Sequence, residues 1–564
     1  VDVTDTDTDV DFYPIFSDGA GADKTMRCTD DNWTINPNTG SFNFVDTLNI
    51  TSDSVSVGKL CGNGTNSVAI GYSSGSTAQG TNSIAIGNAA GKTSQTGYAL
   101  AIGYEAGNDL QKIGAVAIGT NSGQTSQGME SVAIGTAAGN VTQGDRSTAI
   151  GYTAGQTSQG YSSVAIGNGS GATSQGNDAV AIGMDAGAKS QKDVAIAIGM
   201  TSGNTNQGIS SIAIGTRAAD TDQGGHAVAI GFEAGKVGQG VEAIAVGKYA
   251  GETSQKVNAV AIGFEAGKTS QETKSVAIGY QAGTTSQNSS SVAIGNTAGH
   301  TNQGLSSVAI GETAGHTNQG LSSVAIGKTA GHTGQGANSV AIGETAGETS
   351  QKVNAVAIGF EAGKTSQNHS SVAIGYQAGM TSQKHSSVAI GYQAGMTTQN
   401  NSSVAVGHLS GEINQGIFSS AMGRGSGRSQ QGNYTVAVGY LSGEINQDQG
   451  GTAIGYGSGR LNQGQSGVAV GRSAAAGNQG KNAIAIGRDA GETSQGENSI
   501  AIGQEAGLSY QHDNSICLNA TGVTLNTTAV SGLFVKPIRS GAHGIGVGAL
   551  HYDASSGEIT YSTS

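Results

Sequence analysis

The stretch TSQKHSSVAIGYQAG, Thr381–Gly395, has the Ser, Gly and Gln of a flexible linker, yet it is almost one unit of a strict repeat. Taking the Gly of AIG as position 0, here Gly391, that glycine recurs every sixteen residues from Gly71 to Gly503. There are 28 copies with no insertion or deletion, and a fixed period of this kind decides the architecture before any other feature. Gln383 belongs to position +8, which is Gln in every copy from Gln79 to Gln511.

The pattern inside one copy is that of strands. SVAIG alternates with period two, so its residues divide between two faces. Gly follows at position 0 and again at +4 in 26 of 28 copies, the exceptions being Ala219 and Ala475; such a pair brackets a tight turn. A second short strand, TSQ or TNQ, fills +6 to +8, and a variable four-residue turn leads onward. Strand, turn, strand, turn in sixteen residues is one coil of a β-solenoid. SVSVG, Ser54–Gly58, precedes the array and SICLN, Ser515–Asn519, continues its register.

The columns predict side-chain directions. Val or Ile fills −3 and −1 almost throughout, which places both in the coil interior, worth on the order of 3–6 kcal/mol per coil before entropy. Position −2 is Ala in all 28 copies, including Ala277, Ala293, Ala309, Ala373 and Ala389, and +3 is only Ala or Ser. An outward column this restricted predicts close contact with a neighbouring subunit. Position +6 is usually Thr, with Val141, Val237, Ile413, Ile445 and Leu461 as replacements, which points it inward and the Gln column with it. An unpartnered buried amide costs roughly 1–3 kcal/mol. Stacked at ~4.8 Å, the carboxamides of Gln287, Gln303 and Gln319, and of Gln367, Gln383 and Gln399, are predicted to bond in a continuous ladder. At +5 the runs Lys236, Glu252, Lys268 and Glu412, Arg428, Glu444, Arg460 alternate in sign, as coils piled in register require.

Composition agrees with a rod. The 564 residues hold 95 Gly, 5% aromatics and one Trp, too little bulk for ordinary globular cores. The three prolines, Pro14, Pro37 and Pro537, lie near the ends. Cys28, Cys61 and Cys517 are too scattered for a disulfide framework and read as small apolar side chains. The net charge of −13, with ten Asp in the first fifty residues, argues against nucleic acid as a partner. No apolar run is long enough to span a membrane as a helix, so no membrane insertion is expected. The chain opens on Val1 without a signal-peptide pattern, an expectation of processing or of a longer parent.

The strand motif NSVAIG, at Asn66–Gly71 and Asn498–Gly503, resembles the head repeat of the YadA-type trimeric autotransporter adhesins. The resemblance covers about 450 residues and implies a left-handed parallel β-roll of three side-by-side chains. Those heads repeat at about fourteen residues, so the longer period and the Gln column depart from the pattern. The ends resemble other modules. Asp11–Phe42 is similar to short β modules of phage and algal-virus tail fibres. GLFVKPIRS, Gly532–Ser540, with Leu550–Ser564, resembles the segment preceding an endosialidase-type intramolecular chaperone, which implies maturation by self-cleavage.

Candidate chemistry is sparse. AGKTSQ, starting at Ala90, Ala266 and Ala362, mimics a phosphate loop, but its upstream Gly is one residue too close and its Lys belongs to the +5 column. His300, His316 and His332 stack in three successive coils and are the candidate metal or pH-sensitive ladder, set against exposed turn residues copied by duplication; His369 and His385 form a shorter pair. Eleven of 28 residues at +1 are Tyr or Phe, including Tyr376 and Tyr392, read as a sugar-binding strip or as turn packing and subunit contact. A flat Thr column can order water, but an inward +6 argues against that here. No nucleophile, base and orienting residue come together, so no enzyme activity and no cofactor are expected.

The sequence therefore predicts an all-β parallel β-roll of 28 to 30 coils, ~130–140 Å long, homotrimeric and carrying small β modules at both ends. Residues 1–50 are the N-terminal module, 51–519 the shaft and 520–564 the C-terminal segment. The expected role is a rigid viral fibre that contributes to host attachment, on a virion surface or otherwise extracellular, with a host-surface receptor or glycan as partner. The alternatives are a cellular adhesin head or a self-assembling extracellular filament. GETSQKVNAVAIGFEAGKTSQ occurs identically at Gly251–Gln271 and Gly347–Gln367, six coils apart, as a spacer lengthened by block duplication allows.

Overall fold

The computed structural model describes residues 33–36, 41–44, 54–58, 61–62, 64–539 and 549–562. All regular structure in them is β, and none of it is a helix long and apolar enough to cross a membrane. The VAI segments form one parallel sheet of 31 strands running from Ser54–Val57 to Leu533–Lys536. Each strand pairs in register with its copy sixteen residues on, Val276 with Val292, Ala277 with Ala293 and Ile278 with Ile294. The first and last strands pair on one side only, so the ladder is open at both ends. The TSQ segments form a second parallel face in three blocks, Asp109–Gln111 to Thr173–Gln175, Thr205–Gln207 to Thr317–Gln319 and Ser382–Gln383 to Thr493–Gln495. Single bridges such as Thr333 to Thr349 carry the register across the gaps. The fold is the 16-residue β-solenoid that the repeat predicts.

The turns explain the glycines. At position 0, φ lies between 106° and 135°, and a Cβ on Gly311 would stand 2.6 Å from the carbonyl oxygen of Gly327 in the next coil. At +4, φ is 50–57° in the glycines and 47° in Ala219 and Ala475, a left-handed conformation that Ala tolerates at a cost. Non-glycine residues at +2, +7 and +11 share this conformation, for example Asn121, Ser126 and Glu130 at 54–56°. Their N–H groups donate to the coil before, Asn121 to the Tyr104 carbonyl and Glu130 to that of Ile113, so stacking fixes what the isolated chain would avoid.

The coil is turned inside out relative to the sequence expectation. Ala277, Ala293, Ala309, Ala373 and Ala389 are fully buried within a single chain, as is every other Ala at −2, so they form the core and not a subunit interface. Val and Ile at −3 and −1 face outward and are half-exposed, Ile262 at 38% and Ile502 at 41%. The reason is the thinness of the coil. A Cβ added to Gly299 would come within 3.1 Å of the Ala293 methyl, so the opposite wall already touches it and a branched side chain has no room. The column at −4, Ser, Ala, Thr or Gly, completes the inner face, and its serines donate to the carbonyl three residues earlier, as Ser131 does to Gly128.

Position +6 is also outward, with Val141 at 37% and Val237 at 40% exposure, although Gln at +8 is buried. The left-handed residue at +7 breaks the period-two alternation that would have aligned the two. The ground for setting aside a water-ordering Thr face thus falls. What stands against that reading is geometry: the hydroxyls run in single file, because the other position of the strand that pairs in register is the buried Gln.

At the C-terminal end Leu525 and Phe534 pack on the last core residues, Ala506 and Cys517. Cys517 takes the place of Ala at −2, and burial raises its thiol pKa. Cys61 and Cys517 are both free thiols, whereas Cys28 lies outside the described residues. Trp33–Asn36 pairs antiparallel with Ser41–Phe44, and Ala549–Tyr552 with Ile559–Ser562. The rest of the N-terminal module, and residues 540–548 of the C-terminal segment, lie outside the described residues.

Candidate functional surfaces of the rod

The Gln column is the polar centre of the coil, and these are the largest fully buried side chains. Every Gln from Gln79 to Gln511 donates its amide Nε2 across the coil to the backbone carbonyl at −3, Gln287 to Val276 at 2.7 Å and Gln383 to Val372 at 2.6 Å. This bond ties the two sheets together in all 28 coils and is the physical basis of the invariance. The inter-coil ladder is discontinuous, a correction to the sequence expectation. Gln367 donates to Gln383 and Gln383 to Gln399, each at 3.1 Å. By contrast, Gln303 and Gln319 bond only to carbonyls, and their Oε1 atoms have no partner among the described residues.

The ion pairs follow the +5 column. Arg428 donates to Glu412 and Arg460 to Glu444 of the preceding coil, both at 2.7 Å. Lys268 pairs with Glu265 at 2.7 Å and Glu252 at 3.8 Å, and Lys364 with Glu361 and Glu348. Two of the three lysines of the AGKTSQ stretches are thereby engaged in pairs along the shaft.

His300, His316 and His332 stack at 5.0 Å with interplanar angles of 7° and 9°, each Nδ1 at 2.9 Å from the hydroxyl of the following Thr. Parallel rings do not converge on a common centre. Among the described residues no group of three or more His, Cys, Asp or Glu is placed to hold a metal. Burial, and then the two flanking imidazoles, lower the pKa of His316. His369 and His385 stack in the same way at 5.3 Å.

The +1 aromatics form ladders too. Phe360, Tyr376, Tyr392 and His408 stack in four successive coils at 4.9–5.2 Å. A sugar packs on a free ring face. Here the inner faces cover one another, leaving edges and hydroxyls to solvent.

Four stretches, residues 63–90, 126–154, 158–186 and 493–506, match the family model described as the YadA head domain repeat (2 copies). The coil is similar to the YadA head repeat. The chain's own sixteen-residue repeat continues in register between these stretches, with the Ala core, position-0 Gly and cross-coil Gln unchanged. No curated protein and no solved structure matches the chain. The −3/−1 stripe of Val and Ile is the exposed surface that the sequence reading placed in the interior. A signal for it was present: −3 admits Thr148, Ser420 and Thr452, whereas −2 admits nothing but Ala.

Proposed function

We propose that the chain is the shaft of a homotrimeric extracellular fibre, a non-catalytic spacer that holds an attachment module away from the surface bearing it. The observation that carries this reading is the half-exposed Val/Ile stripe, repeated coil after coil along one face of the rod. Covering it is worth on the order of a kcal/mol per side chain, and a continuous apolar strip of this length calls for a partner surface. Similarity to the YadA head repeat supports two further copies of the same chain as that partner, three chains in all. The resemblance of both termini to tail-fibre modules supports a virion as the bearer and host attachment as the role. A cellular adhesin head is the second reading, favoured by the family to which the repeat is similar. The reading frame beyond Ser564 separates them: a chaperone-protease domain belongs to the fibre, heptads and a membrane barrel to the adhesin.

Sedimentation equilibrium tests the assembly. A mass three times the 55.6 kDa of one chain is expected, and the triple substitution Ile278→Lys, Ile294→Lys and Ile310→Lys is expected to release single chains with unchanged β content. A native mass of one chain overturns the proposal.

A further inference from the structure

The chain carries a net charge of −13, yet between Gly423 and Ala490 six cations, Arg424, Arg428, Arg460, Arg472, Lys481 and Arg488, face three acids, Glu444, Asp448 and Asp489. The +1 column here reads His408, Arg424, Tyr440, Tyr456, Arg472, Arg488, and all six are exposed. Backbone bonds stack them coil on coil: Leu441 N–H donates to the Arg424 carbonyl, Gly457 to Tyr440, Ser473 to Tyr456 and Asp489 to Arg472. They form one edge of the rod, advancing ~4.8 Å per coil.

The arginines of this region divide into two sets. Arg428, Arg460 and Arg488 each have a carboxylate partner, Glu412, Glu444 and Asp489 with Glu505. Neither Arg424 nor Arg472 makes an ion pair among the described residues, although the charge of Arg472 acts on Glu492. Arg424 instead lies over the Tyr440 ring, 5.7 Å from its centroid, and Tyr440 stacks on Tyr456 at 5.0 Å. Two unpaired guanidiniums thus bracket a rigid tyrosine pair whose hydroxyls and edges face solvent, Tyr456 being 59% exposed. Beside it Gly457 leaves open space where a Cβ would meet nothing within 4 Å.

We propose that the edge Arg424–Tyr440–Tyr456–Arg472 binds an acidic glycan, a polysaccharide bearing carboxylate or sulfate groups. Guanidinium forks suit oxyanions, and the fixed phenol hydroxyls suit hydrogen bonds to the hydroxyls of the intervening sugars. The two unpaired arginines are three coils apart, ~14 Å, so the ligand is an extended chain and not a single anion. Nucleobases fit poorly, because they need free aromatic faces. Here one face of Tyr440 carries Arg424 and the other carries Tyr456. The inference deepens the attachment reading by naming a ligand class. Its failure leaves the sedimentation result untouched, so the two are separable.

Titration calorimetry on the full-length chain tests it, with short heparin and oligogalacturonate chains as sulfated and carboxylated probes. Neutral malto-oligosaccharide, single-stranded DNA and polyglutamate of similar length serve as comparisons. Binding of at least one acidic glycan is expected, weakening with salt and at least about tenfold weaker in the Arg424→Gln, Arg472→Gln double variant. The Arg428→Gln, Arg460→Gln variant, which removes paired arginines, is expected to retain affinity within about threefold. Equal loss in both variants, no binding of either acidic glycan, or equal binding of the neutral sugar, DNA or polyglutamate overturns the proposal. So does a changed chain mass in the Arg424, Arg472 variant, which would make this edge a subunit contact.

Discussion

Gly311 and Gly315 carry the same residue name and different obligations. At Gly311 a Cβ meets a backbone carbonyl at 2.6 Å, which cannot move without unstacking the next coil. At Gly315 the nearest atom is Oε1 of Gln319 at 2.8 Å, the end of a side chain, and two coils already carry Ala at this position. Gly315→Ala is therefore expected to cost about 1 kcal/mol and Gly311→Ala about 3 kcal/mol or more, read as hydrogen-exchange protection of that coil. The reverse order would contradict the assignment of the two turns. His316 contributes to the pH dependence of the shaft above the carboxylate range. Its pKa lies below the ordinary 6.5, so folding favours the neutral ring. Its contribution is intact above about pH 6.5 and is lost as pH falls through that value toward the lowered one. A urea midpoint that drops between pH 8 and pH 5, and drops less in His316→Gln, is the expected result.

Each strand presents one face of small residues and one of branched ones, and the coil chose the small face for its interior. Ala293→Val is accordingly expected to destabilise its coil by about 1–3 kcal/mol, as overpacking does, with no direct effect on assembly. Ile294→Thr is expected to leave the coil folded and loosen the association of chains, and −3 already tolerates Thr148 and Thr452 next to equivalent positions. Thermal melts paired with sedimentation separate the two outcomes. The alternation itself was legible in VAI, and so was the turn at the paired glycines. Which face lay inside was not, because hydrophobicity favours Val and Ile in a core whereas the available width admits only methyls, hydroxyls and one amide. The second strand misled for a related reason: a single left-handed residue at +7 uncouples +6 from +8, and Ser126 or Asn302 does not announce that conformation by its type.

A rod of identical coils can change length only in whole units. Deleting residues 267–362 removes six coils and joins Ala266 to Gly363 within the duplicated block, which restores the sequence around the junction. The shortened chain is expected to fold with an unchanged circular-dichroism shape and to be ~29 Å shorter by electron microscopy. A loss of fold would show that the coils are not interchangeable. The outward Val/Ile stripe extends over the same length, so assembly strength is expected to scale with coil number, unlike the Arg424–Arg472 edge, which occurs once.

The sixteen-residue period determined by itself that this chain is a parallel β-solenoid, where its turns fall and that a Gln stands in every coil. A register that repeats without a gap leaves no other way to satisfy the backbone. Tertiary structure alone decided the direction of each column and the partner of each Gln. Those depend on the distance between two facing sheets, which is set by Ala methyls meeting the opposite backbone and is written in no single residue.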